Sequence, residues 1–113
     1  MAEKISALVK RPGCPPRHVW VSNNLEALQK AVGGYIECIT RGEFVVICDE
    51  EGRLKDKPYN CTVFGYDLVG DIVIVGRGLD DGGFFNDELA DLPHRWDEIK
   101  YIFPQLFGGE NND

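Results

Sequence analysis

Two histidines, four cysteines and nineteen carboxylates are the side chains from which this 113-residue chain could build acid–base, nucleophilic or metal chemistry. His18 and His94 stand at no metal-ligand spacing from each other or from a cysteine pair. Cys14, Cys38, Cys48 and Cys61 are 24, 10 and 13 positions apart, with no C-x-x-C. That spacing indicates neither a zinc cage nor a thioredoxin-like motif. Cys38 and Cys48 lie in apolar segments, where a free cysteine packs as a small hydrophobe, so reduced structural thiols are expected. A Cys–His pair meeting only in space stays open as an alternative, and no catalytic residue, metal or cofactor is assigned. Among the carboxylates Glu37 is the anomaly, an acid in an otherwise apolar segment. Such a setting displaces a pKa, although an ion pair with a neighbouring strand would explain it equally. Asp49-Glu50-Glu51 and Asp80-Asp81 lack the alternating ligand spacing of a calcium loop and read as solvated turns. There is no G-x-x-x-x-G-K-[ST], and Gly76-x-Gly78 lacks the third glycine of a dinucleotide loop.

The elements that must carry these residues follow from periodicity. Ile5–Lys10 reads as a strand, ended by Arg11-Pro12-Gly13-Cys14-Pro15-Pro16, and His18–Val21 as a second. Asn23 with Glu26 three positions on predicts a capped helix. Leu25, Leu28 and Val32 form its apolar face and Gly33-Gly34 its stop. Tyr35–Thr40 and Phe44–Asp49 predict a hairpin. A three-residue loop there pairs Thr40 with Phe44 and sets Ile36, Cys38, Phe44, Val46 and Cys48 on one side. Tyr35, Glu37, Ile39, Val45 and Ile47 take the other, and two apolar sides predict a central hairpin. Cys61–Phe64 reads as a short strand and Asp71–Val75 as a buried one. Gly76-Arg77-Gly78 and Asp80-Asp81-Gly82-Gly83 read as a flexible loop, and Asn86-Asp87-Glu88 as a capped helical start. A last helix after Pro93 carries Leu92, Trp96, Ile99 and Phe103 on one face until Pro104. Tyr101, about 140° from Trp96, is left exposed. The order predicts a small α+β domain over residues 1–107, with a mainly antiparallel sheet of about five strands, two helices and a polar tail at 108–113.

Composition narrows the function classes. At 12.7 kDa the chain has room for one domain with a core that needs no metal or disulfide. Its net charge of −7 and pI near 4.7 argue against direct binding to a phosphate backbone. The charge is uneven: residues 1–57 balance at +1 and residues 58–113 at −8. An acidic second half reads either as a solubilising surface or as a face for a basic protein, including one that otherwise binds nucleic acid. No signal peptide or bilayer-length apolar run is read, so a cytoplasmic protein without a membrane role is expected.

Several segments together resemble a family. Ile5–Lys10 followed by Gly13-x-Pro15-Pro16, Leu25-Glu26-Ala27-Leu28-Gln29, and Val32-Gly33-Gly34-Tyr35-Ile36-Glu37 are similar to the uncharacterised phage and bacterial family known as domain of unknown function 3846. Cys48-Asp49-Glu50-Glu51-Gly52-Arg53-Leu54, Lys57-Pro58-x-Asn60 and Val69–Gly76 continue the likeness, over about residues 5–90. The resemblance implies a small protein of phages, prophages or conjugative elements, with no assigned activity. After Pro58, Tyr59-Asn60-Cys61 replaces the family's proline, asparagine and arginine, which argues against an anion-binding loop there.

The expected function is that of a small acidic accessory protein of a phage or mobile element in the bacterial cytoplasm. It would act by stoichiometric binding of a basic protein rather than by catalysis. The residues chosen for contact with partner or ligand are Tyr35, Glu37, Glu51 and Asn60. Two narrower readings are an inhibitor of a host defence or nucleic-acid-binding enzyme and a pocket for a small nucleotide-like ligand. A homodimer through an exposed sheet edge is left open.

Overall fold

The computed structural model describes residues 3–107; the polar tail expected at 108–113 lies outside them. Eight strands and three short helices follow one another as β1 (Lys4–Lys10), β2 (Arg17–Ser22), α1 (Leu25–Val32), β3 (Ile36–Arg41), β4 (Phe44–Asp49), β5 (Tyr59–Val63), β6 (Tyr66–Val69), β7 (Ile72–Leu79), β8 (Phe85–Ala90), α2 (Trp96–Ile102) and α3 (Pro104–Phe107). The main sheet runs β2-β1-β7-β4-β3, with β8 paired to the far end of β7, and every pairing is antiparallel. β5 and β6 form a separate hairpin. The α+β class with a mainly antiparallel sheet is therefore as expected, with one more strand in the sheet and a third, four-residue helix.

β4 and β7 are the centre because they are apolar on both faces, and all six residues of β4 are buried. Phe44, Val46, Cys48, Ile72 and Ile74 point to one face, where Val63 and Leu68 of the β5–β6 hairpin and Ile99, Phe103 and Leu106 of α2–α3 cover them. Val45, Ile47, Val73 and Val75 point to the other, covered by Leu28 and Val32 of α1. Each fully buried aliphatic side chain contributes roughly 1.5–3 kcal/mol. The first is called the hairpin face below and the second the helix face.

Several local expectations are corrected. The α1 cap is Asn24, whose side chain accepts from Ala27 N–H at 2.8 Å, while Asn23 is bound to Glu3 and Leu89, and Leu25 is exposed. The β3–β4 turn has two residues, not three. Gly42 takes a φ of 55° at its first position, as a II′ turn requires, so Arg41 pairs with Phe44 and Glu37 with Cys48. Glu37 and Ile39 therefore share the hairpin face with Val46 and Cys48, whereas Cys38 lies on the helix face. The hairpin is not central on both sides, since β3 is an edge.

The segment read as loop and helix start at 76–88 is instead the β7–β8 hairpin. Its glycines permit close approach: a Cβ at Gly76 would collide with the carbonyl of Asp91, and one at Gly78 with the side chain of Asn86. β6, which the sequence reading missed, begins after Phe64-Gly65, both at positive φ. Phenylalanine is costly in that conformation. The Phe64 ring, edge-on to Phe103 at 5.7 Å and near Phe44 at 6.5 Å, supplies packing that offsets it.

Candidate functional site

The segments that carry the family likeness converge on one buried carboxylate. Asp49 ends β4 on the helix face, beside the C-terminus of α1, with its side chain 1% exposed. Gly33 closes α1 in the left-handed conformation at φ 78°, and Gly34 brings the next stretch of backbone so near that a Cβ there would lie 2.5 Å from Asp49 Oδ1. Chain 50–57 then returns two cations. Lys55 Nζ donates to Asp49 Oδ2 at 2.8 Å, and Lys57 Nζ lies 2.7 Å from the same oxygen. Lys57 also donates to the carbonyl of Val32 at 2.9 Å, at the negative end of the α1 dipole. The backbone N–H of Glu51 donates to Asp49 Oδ1 at 2.9 Å.

Burial alone would raise the Asp49 carboxyl. Hydrogen bonds from Lys55, Lys57 and Glu51 outweigh it and hold the group well below the usual carboxylate range. Lys55 is in turn raised by its bond to Asp49. Asp49, read from sequence as part of a solvated turn, is thus a structural anchor with its charge fully engaged.

Around this anchor the four chosen residues separate. Tyr35 is 66% exposed, its carbonyl accepting from Glu50 N–H at 2.8 Å. Glu37 is exposed on β3 and forms no ion pair among the described residues. Glu51 is exposed, and its backbone serves Asp49. Asn60 is buried in another place. Its Nδ2 donates to the carbonyls of Lys10 (2.8 Å) and Gly70 (2.7 Å), and its Oδ1 accepts from Lys10 Nζ at 3.0 Å. Of the four, only Glu37 lines the groove of about 230 Å³ between β3 and the β5–β6 hairpin. Ile39, Cys48 and Leu68 line it as well, with Arg53, Leu54 and Tyr66.

Among the described residues the thiols and imidazoles stand apart. Burial pushes the thiols of Cys48 and Cys61 up to about 11, away from the thiolate a nucleophile needs. Burial, and then Glu37, also raises Cys38. His94 Nε2 meets Glu43 at 2.6 Å and its ring stacks on Phe44, while His18 stacks on Trp96; neither is joined to a cysteine. Among the described residues no three His, Cys, Asp or Glu side chains gather to hold a metal ion.

The feature the sequence reading misplaced is the β7–β8 hairpin. Residues 79–91 contain five acids and no base. At the tip, Asp80 Oδ1 accepts from the N–H groups of Gly82 and Phe84, both at 2.9 Å, so the turn is built on that carboxylate. Phe84 is then left 73% exposed, with Leu79 and Phe85 beside it and Asp81, Asp87 and Glu88 at the surface. The signal was in the sequence, in Leu79 and Phe84-Phe85 set among acids, but a loop reading hid it.

No curated protein and no solved structure matches the chain. Residues 5–96 match the family described as Domain of unknown function (DUF3846), and with that span covering most of its length the chain belongs to this family.

Proposed function

We propose that this protein works by stoichiometric binding rather than catalysis, and that its partner is a protein with a basic surface. The observation that supports this is the β7–β8 hairpin, an ordered tip that exposes Leu79, Phe84 and Phe85 within a cluster of acids. Exposed apolar side chains rimmed by charge are the ordinary make-up of a contact surface. The acids would steer a basic partner, and the aromatic rings would supply the buried contact. Glu3 and Glu88, with Lys4, line a broad depression at the base of the hairpin. A setting in phages or mobile elements of bacteria, with action in the host cytoplasm, rests on the sequence resemblance alone. An inhibitor of a host nucleic-acid-binding or defence enzyme is the narrower form of the same reading, since such enzymes carry basic faces. A nucleotide-like ligand is less well supported: the groove beside β3 is smaller than the roughly 300–1,000 Å³ usual for such sites, and the depressions of about 310 and 400 Å³ are lined by none of the four chosen residues.

The test is affinity capture from host lysate with the natural chain and with a Phe84→Ser/Asp81→Lys/Asp87→Lys variant, followed by titration of the identified partner. The reading expects a complex of fixed ratio whose affinity falls about tenfold or more from low to high salt, and again in the variant. Affinity indifferent to both changes, or turnover of a substrate by the purified protein, overturns it.

A further inference from the structure

The free edge of β3 carries two charges that form no ion pair among the described residues. β3 pairs only with β4, and the bond from Glu50 N–H to the Tyr35 carbonyl sets the alternation of the ladder. Tyr35, Glu37, Ile39 and Arg41 turn their backbone groups toward β4, so Ile36, Cys38 and Thr40 project theirs outward, the Thr40 carbonyl accepting from Arg41 Nη1 at 3.3 Å. The edge contains no proline and no bulge. Its two charges, Glu37 and Arg41, lie on the hairpin face on either side of Ile39. Neither has an ion-pair partner among the described residues. Arg41 is held over that face by the Tyr66 hydroxyl at 3.2 Å and by its ring, 5.4 Å from the guanidinium carbon.

We propose that two copies of this chain pair antiparallel through β3, with the two-fold axis at Ile39. This register sets Ile39 against its own copy in a non-hydrogen-bonded pair, with Cα atoms about 4.5 Å apart. Glu37 of each copy then stands directly opposite Arg41 of the other, so the dimer gains two symmetry-related ion pairs and each charge is matched once. The neighbouring registers are poorer. An axis at Glu37 opposes the two acids directly, and one at Cys38 leaves Glu37 and Arg41 only diagonal. Leu54, 84% exposed, and Tyr66 border the groove on the same face and stand beside the added strand. Of the other edges of the sheet, β2 reads Arg-His-Val-Trp-Val-Ser and has no acid with which to match its arginine, and β8 reads Phe-Asn-Asp-Glu-Leu-Ala and has no base to match its acids. This pairing is independent of the β7–β8 hairpin, so its failure leaves the proposed function untouched.

Sedimentation of the full chain over a concentration series, with charge-swapped variants, tests the pairing. Glu37→Arg and Arg41→Glu each set like charges opposite one another twice and are expected to weaken the dimer about tenfold or more. The double swap restores it, which a folding defect would not do. In a Cys38→Ser background, Ile39→Cys should form a disulfide-linked dimer on mild oxidation, because the opposed Cα atoms fall within the range a disulfide spans. A monomer at every concentration, a dimer indifferent to the swaps, or an open series of larger species from β2-to-β3 pairing overturns the proposal. So does oxidative cross-linking through the natural Cys38 in place of residue 39.

Discussion

Replacing Asp49 by asparagine should unfold the region where β4, α1 and the 50–57 segment meet far more readily than a turn residue would suggest. The substitution keeps the shape of the side chain and removes the charge that Lys55 and Lys57 both contact. The amide retains one acceptor oxygen for two ammonium groups and a backbone N–H. Its own NH2 must then face a donor less than 3 Å away. Hydrogen bonds to a charged group contribute about 1.5–3 kcal/mol each, and breaking a buried pair costs about 3–5 kcal/mol. Lys55 is 40% exposed and water replaces part of its contact, so about 3 kcal/mol is the working value for Asp49→Asn. For a chain of this size that lowers Tm by roughly 12–15 °C. Thermal and urea unfolding followed by circular dichroism measure it. The natural chain should also lose this stabilisation in acid. A carboxyl whose folded pKa is depressed contributes fully above its unfolded value near 4 and progressively less as the pH falls toward the folded one. The slope of stability against pH below about 4 should therefore be shallower in Asp49→Asn. Equal stability of the two proteins at neutral pH, or parallel acid profiles, would refute the assignment of Asp49 as an anchor.

Asn60→Ala should destabilise by about 2–4 kcal/mol, because it leaves the Lys10 and Gly70 carbonyls and Lys10 Nζ without their buried partner. Urea unfolding checks the loss. A variant that stays as stable as the natural chain yet changes binding would restore Asn60 as a contact residue. Thiol titration with a disulfide reagent should find two accessible cysteines, Cys14 and Cys38, and two that react only on unfolding, Cys48 and Cys61, whose pKa values burial raises to about 11. Four equivalent thiols in the folded protein would contradict the packing of the hairpin face.

What the sequence revealed of the fold was what short-range chemistry determines. The Ile72–Val75 run announces a central strand because only a position covered on both faces tolerates it. Gly33 ends α1 because the backbone there needs a left-handed residue. The failures share a cause, which is that a distant partner chose between two locally equal options. Asn86-Asp87-Glu88 is as good a helix start as a strand, and pairing with β7 decides it. Gly76 and Gly78 look flexible until Asp91 and Asn86 are seen against them. Glu37 was legible as an anomaly, but the one-residue difference in turn length moved it to the other face, and the edge position of β3 leaves it exposed rather than buried.

The same limit applies to charge, which a sequence counts and a fold distributes. The first half balances at +1, yet at least five of its nine cations are committed internally: Lys10 to Asn60, Lys55 and Lys57 to Asp49, Arg11 to Asp71, and Arg53 to the carbonyl of Asp67. In the acidic half Asp80 builds a turn and Asp91 accepts from the backbone of Ser6. A charge engaged this way has given its interaction energy to the fold, and drawing it into a complex would first cost that bond. Among the charges of the described residues that the fold leaves without an ion pair are Glu37 and Arg41 on β3 and Asp81, Asp87 and Glu88 on the β7–β8 hairpin. On this physical ground the β3 edge and the β7–β8 hairpin are the surfaces proposed for recognition. Asp49, Lys57 and Asn60, although they stand in the segments most like the family, serve to hold those two surfaces in place.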